Sequence, residues 1–104
     1  MSGDVIVERR SKSRIEGPIP ATLRGSDTSG ESFEIETMVD NLSVGGFHVS
    51  LERRLAVAAS LFALIRFTGM KIEANGVVKR VEPRHDGSYG LGVAFESYRI
   101  LSEP

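Results

Sequence analysis

Between Phe33 and Leu51 apolar and polar residues alternate with a period of two, broken by one short step. Phe33, Ile35, Thr37 and Val39 alternate with Glu34, Glu36, Met38 and Asp40, and after Asn41-Leu42-Ser43-Val44-Gly45-Gly46 the residues Phe47, Val49 and Leu51 alternate with His48 and Ser50. Successive strand side chains point to opposite faces, whereas a helix needs a period near 3.6, so this is strand, tight connection, strand. Upstream, Gly17-Pro18-Ile19-Pro20 blocks helix, because proline fixes φ, lacks an N–H and pushes its predecessor to extended geometry. A first strand is therefore expected at Pro20 to Arg24, followed by the turn cluster Gly25 to Gly30.

Glu52 to Ser60 has no helix caps and reads as a loop with at most a short turn. Leu61 to Thr68 is apolar on both faces except at Arg66, the pattern of a strand buried on both sides, and Gly69 ends it. Asn75-Gly76 is a hairpin signal, but the apolar phase switches there from Met70, Ile72 and Ala74 to Val77 and Val81, which favours one long strand with a glycine bulge. In the last strand Tyr89, Leu91, Val93 and Phe95 face one way, and Gly90, Gly92 and Ala94 leave the other face nearly bare. Tyr98 to Leu101 could add a C-terminal helical turn. Six strands on short connections, without crossover helices, predict an all-β chain: an antiparallel sheet closed into a small β-barrel, which removes its exposed edges.

At 104 residues the chain holds one domain. Residues 1–17 read as a mobile, charge-rich N-terminal arm, and 18–104 as the barrel. Thirteen Lys plus Arg against fourteen Asp plus Glu leaves a net charge of −1, which argues against a general nucleic-acid or membrane-surface binder and confines any anion site to a local patch. No cysteine is present, and two isolated histidines make no His-only metal site, so disulfides, thiolate metal centres and a cysteine nucleophile are excluded. The longest charge-free apolar stretch, Leu55 to Ile65, is far below the roughly 20 residues of a membrane-spanning helix, and Met1-Ser2-Gly3-Asp4 opens no secretory signal; a cytoplasmic location is expected.

Two motifs carry chemistry. Arg9-Arg10-Ser11-Lys12-Ser13-Arg14 has the form Arg-Arg-x-x-x-Arg, and Asn41-Leu42-Ser43-Val44-Gly45-Gly46 has the form Asp/Asn-x-Ser-x-x-Gly. In this order, ahead of the closing Tyr89-Gly90-Leu91-Gly92-Val93-Ala94-Phe95, they resemble the PilZ domain over nearly the whole chain. That resemblance implies a six-stranded antiparallel barrel of split-barrel, Greek-key type that binds the bacterial second messenger cyclic di-GMP. It implies that Arg9, Arg10 and Arg14 clamp guanine and phosphate, that Asn41 and Ser43 bond a guanine edge or hold an arginine, and that Gly46 supplies a turn or a close backbone approach. The chemistry is consistent: a guanine shows O6 and N7 acceptors that match the rigid donor fork of arginine, whose plane also stacks on a purine.

A receptor of this kind has no catalytic step and no cofactor. Its arm would order on the ligand and so change the binding of a downstream protein partner or its own self-association, as a monomer or homodimer. The competing reading is a PilZ-like protein-interaction module that binds no nucleotide; a barrel that binds RNA or single-stranded DNA through the arm fits the charge balance poorly. Departures from the family pattern are Glu8 directly before the arginines and Ala58-Ala59-Ser60 where a glycine often opens the fourth strand. His48, on the face opposite Phe47 and Val49, reads as a surface residue, and a Ser43–His48 nucleophile pair has no elbow sequence and no acid partner at a recognisable spacing.

Overall fold

The computed structural model describes residues 14–102; Arg9, Arg10 and the remainder of the expected arm before residue 14 lie outside the described residues. Six strands follow one another: β1 (Arg14–Ser26), β2 (Ser32–Ser43), β3 (Gly46–Leu51), β4 (Ser60–Phe67), β5 (Met70–Pro83) and β6 (Tyr89–Ser102). All pairs are antiparallel, and the ring β1-β2-β3-β6-β5-β4 closes when β4 pairs back onto β1 through Ala21↔Ile65 to Gly25↔Leu61. Closure satisfies the edge groups that an open six-stranded sheet would otherwise leave exposed.

The interior is filled by the period-two residues. Leu23, Val39, Val49, Leu61, Ile65, Val78 and Leu91 are fully buried, joined by Leu55 from the β3–β4 loop. Burying each such side chain is worth about 1.5–3 kcal/mol against leaving it exposed. Buried Phe47 meets half-buried Phe95 at the margin of this core, with ring centroids 5.9 Å apart.

Several expectations are corrected. The first strand starts at Arg14, six residues before Pro20, because Arg14, Ile15 and Glu16 find partners in Ser43, Leu42 and Asn41 of β2. Tyr98 to Leu101 are not a helical turn: they belong to β6 and pair with Ala74 to Lys71, so a ready partner strand overrides a weak local preference. β4 is not buried on both sides. Leu61, Ala63 and Ile65 point inward, while Phe62 and Leu64 are half-buried on the outside, since a barrel has one interior and nothing packs a second layer over it. Phe62 is covered instead by the Arg24 guanidinium, 4.4 Å from its ring centroid.

β5 passes through Asn75-Gly76 as one strand, and the register shifts there as a bulge requires. The extra residue belongs to the partner: Asn75 pairs with Ser97 and Gly76 with Phe95, which leaves Glu96 unmatched on β6. The inward phase of β5 therefore runs on through Gly76 to Val78, not Val77, and breaks at the next residue. There Val78 pairs with Val93 and Arg80 with Gly92, so Lys79 is the inserted residue. A third bulge lies in β2, where Val39 pairs with Val49 and Asn41 with His48, leaving Asp40 extra. A bulge lets two consecutive side chains share one face, as Asp40 with Asn41 and Lys79 with Arg80 do on the outer surface.

Candidate ligand-binding site

The register brings the two sequence motifs together. Arg14 is the partner of Ser43 across β1 and β2, and Glu16 is the partner of Asn41. Farther round the barrel the pairs Asn41↔His48, His48↔Gly92 and Gly92↔Arg80 run in one row from β2 to β5. A parallel row runs Arg14, Ser43, Gly46, Ala94 and Val77. These positions are two residues apart along β2, β3 and β6, and three apart on β5, where the inserted Lys79 restores the phase, so both rows lie on the same outer face. They outline an open groove of about 270 Å³ lined by Asn41, Ser43, Gly46, His48, Lys79, Arg80 and Gly92, among others.

Small residues make its floor. A Cβ on Gly46 would collide with the carbonyl oxygen of Val93, so β3 can approach β6 closely only with glycine there. Gly92 and Gly90 lie beneath the guanidinium groups of Arg80 and Arg84, whose Nη2 atoms stand 3.4 and 2.5 Å from where a Cβ would be. The bare stripe of β6 is thus a bed for two arginines from the end of β5 and the turn after it.

At the β2–β3 turn the Ser43 hydroxyl accepts from the Gly45 N–H at 3.3 Å and donates to the Gly46 carbonyl at 3.4 Å. The Gly45 carbonyl accepts from the Phe95 N–H at 2.9 Å, which ties the turn to β6. Ser43 therefore shapes the turn while one edge of it faces the groove. Asp40 Oδ2 lies 3.0 Å from His48 Nδ1 and accepts from the Ser50 hydroxyl at 3.4 Å. His48 is accordingly held at the groove's centre by a carboxylate on the next strand.

Of the six residues singled out from sequence, Arg14, Asn41, Ser43 and Gly46 meet on this face; Arg9 and Arg10 lie outside the described residues. Asp40, His48, Lys79 and Arg80 were missed. Asp40 and His48 carried a signal, since a carboxylate beside the Asn-x-Ser motif is visible in the sequence. Lys79 and Arg80 carried none, because consecutive strand residues are expected on opposite faces and only the bulge joins them. A larger surface cavity, about 770 Å³, lies among Arg24, Phe62, Asn75, Glu34 and Glu96. Its two carboxylates beside one arginine make it a poor seat for an anion. Among the described residues no group of three His, Asp or Glu could hold a metal ion, and no helix is long and apolar enough to cross a membrane.

The chain matches the PilZ domain family over residues 8–103. It is a PilZ domain. The match takes in both motifs and all six strands. Among solved structures, the Bacillus subtilis inhibitor of motility MotI/DgrA superposes with a TM-score of 0.70 at 21% identity, over 88% of this chain and 44% of that one. The PilZ domain described here thus spans less than half the length of that protein, and the likeness establishes the shared fold. No curated protein sequence matches the chain.

Proposed function

We propose that this PilZ domain is a non-catalytic receptor for cyclic di-GMP, acting in the cytoplasm, whose N-terminal segment closes over the bound ligand and thereby alters how the protein engages a protein partner or a second copy of itself. The observation that carries the reading is the pairing of Arg14 with Ser43, which delivers the end of the Arg-Arg-x-x-x-Arg motif to the Asn-x-Ser-x-x-Gly motif. Arg9 and Arg10 precede Arg14 by five and four residues. An extended chain covers about 3.3–3.6 Å per residue, so Arg9 reaches some 16–18 Å from Arg14. Arg14 stands on β1, so reaching β6 means three strand spacings of about 4.8 Å, roughly 14–15 Å, and reaching β5 means four, roughly 19 Å. The segment is long enough to lie over the β2, β3 and β6 side of the groove and stops short of its β5 edge.

In this reading the guanidinium groups meet guanine O6 and N7 and the phosphate oxygens, and Asn41 offers its amide to a base edge. Ordering some seven residues of the arm costs roughly 7–14 kcal/mol, while three arginines making about two charge-assisted bonds each return on the order of 9–18 kcal/mol. A single arginine would not offset the ordering, which is why the motif contains three.

Thermal unfolding with and without cyclic di-GMP tests the proposal. At a hundred times the dissociation constant the ligand adds about 2.7 kcal/mol, which for a domain of this size raises Tm by roughly 10–20 °C. Cyclic di-AMP, with an N6 donor where the arginine fork needs an acceptor, should leave Tm nearly unchanged. No shift with cyclic di-GMP, or equal shifts with both, refutes the reading.

A further inference from the structure

We propose that the Lys79–Arg80 bulge of β5 is the second wall of the dinucleotide site, with Arg80 reading the guanine remote from the N-terminal arginines and Lys79 meeting a phosphate; this rests on the cyclic di-GMP reading above. The ligand is two-fold symmetric: two phosphodiesters in one ring and two guanines projecting from opposite ends. Arginines at one edge of the groove can serve one end of such a molecule. Serving both takes a second set of donors on the far side, with a floor low enough for the ring to lie between them.

The structure provides both. Asn41 and Arg80 occupy the two ends of the row that runs through His48 and Gly92, with β3 and β6 between them. The floor between the walls is Gly46, Gly92 and Ala94, with His48 at its centre. Lys79 is the inserted residue of the β5 bulge, so it and Arg80 are both exposed on this face instead of alternating in and out. The bulge is pinned from the opposite flank. Val78, fully buried, accepts from the Ala58 N–H at 2.7 Å and donates to the Ala59 carbonyl at 2.9 Å, so the β3–β4 loop takes the Val78 backbone groups just before the strand steps out. Arg80 Nε lies 3.7 Å from Glu82 Oε2, and its Nη2 extends over Gly92. The terminal nitrogens are thus presented along the groove, where a planar fork suits a purine edge and the neighbouring ammonium suits a phosphate oxygen.

Titration calorimetry compares cyclic di-GMP with the hybrid cyclic GMP–AMP, which carries one guanine, on wild type, Arg14→Ala, Arg80→Ala, Arg80→Lys and Lys79→Ala. Both bulge residues are exposed, and unfolding curves verify that the variants fold. Arg80→Ala should weaken cyclic di-GMP roughly tenfold to a hundredfold, bring the two dinucleotides within about threefold of each other, and be poorly rescued by Arg80→Lys, which keeps the charge and loses the fork. Lys79→Ala should weaken both ligands alike and reduce the slope of log affinity against log salt by about one. Wild-type affinity in Arg80→Ala and Lys79→Ala, or an Arg80→Ala protein that still prefers the two-guanine ligand as wild type does, overturns this inference; if Arg14→Ala nonetheless loses binding, the receptor reading stands without it. Absence of cyclic di-GMP binding by wild type removes both.

Discussion

Gly46→Ala separates what the second motif does for the fold from what it does for a ligand. An alanine Cβ there would meet three backbone atoms of β6 at once: the Val93 carbonyl oxygen, its carbon at 2.9 Å and the Ala94 Cα at 3.0 Å. None is the end of a flexible side chain, so β3 and β6 must part locally. Overpacking of this kind costs about 1–3 kcal/mol. Parting the strands also strains the bond from the Phe95 N–H to the Gly45 carbonyl, 2.9 Å long, for about another 0.5–1.5 kcal/mol. The sum, about 1.5–4.5 kcal/mol, lowers Tm by roughly 6–36 °C in a domain near 100 residues. Gly45→Ala is the matched control. Its Cβ would meet nothing within 4 Å, and its cost should stay within about 0.5 kcal/mol. Ligand-free thermal and urea unfolding of both variants is the assay. If Gly46→Ala melts within about 2 °C of wild type, or Gly45→Ala loses as much, the close β3–β6 approach is not what requires glycine at position 46.

Four further outcomes are expected. Arg14→Ala should weaken cyclic di-GMP about a hundredfold, near 3 kcal/mol, by calorimetry while leaving the melting curve almost unchanged, because its side chain is exposed at the start of β1. Leu91→Ala empties a fully buried position and should cost about 2–5 kcal/mol in urea unfolding. Ala58 sits at φ +77°, where a side chain costs about 1–2 kcal/mol; since glycine gives back roughly half of that through its looser unfolded state, Ala58→Gly should raise Tm by a few degrees. The Asp27 carboxyl is held below its ordinary range, chiefly by the Ser29 hydroxyl and then by the Glu31 and Ser29 N–H groups and Arg53. A depressed folded pKa contributes stability that is present above pH 3.8 and is lost as pH falls through the lower folded value, so wild type should lose this share of its stability only below about pH 4. Asp27→Asn should flatten that acid limb, and an unchanged limb would contradict the assignment.

Much of the site could be read from residue order because turns and alternation are local. Asn41 to Gly46 names its own turn, and the phases of Phe33 to Val39, Phe47 to Leu51 and Tyr89 to Phe95 match the inward positions of β2, β3 and β6. Where a partner strand decides, the sequence was misleading. Tyr98 to Leu101 became strand because β5 was there to pair with them, and Phe62 and Leu64, as apolar as Leu61 and Ala63, faced outward because a closed barrel has one interior.

The sequence by itself determined an all-β domain, the strand phases and two motifs with arginine and amide chemistry, since each depends on neighbours within a few residues. Only the tertiary structure decided that Arg14 stands opposite Ser43, that Asp40 steadies His48, and that Lys79 and Arg80 share one face across the glycine floor. Those placements follow from strand register and from single-residue insertions, which are set by partners on neighbouring strands, from 8 residues away for Asp40 and His48 to 29 for Arg14 and Ser43, and leave no mark on local composition.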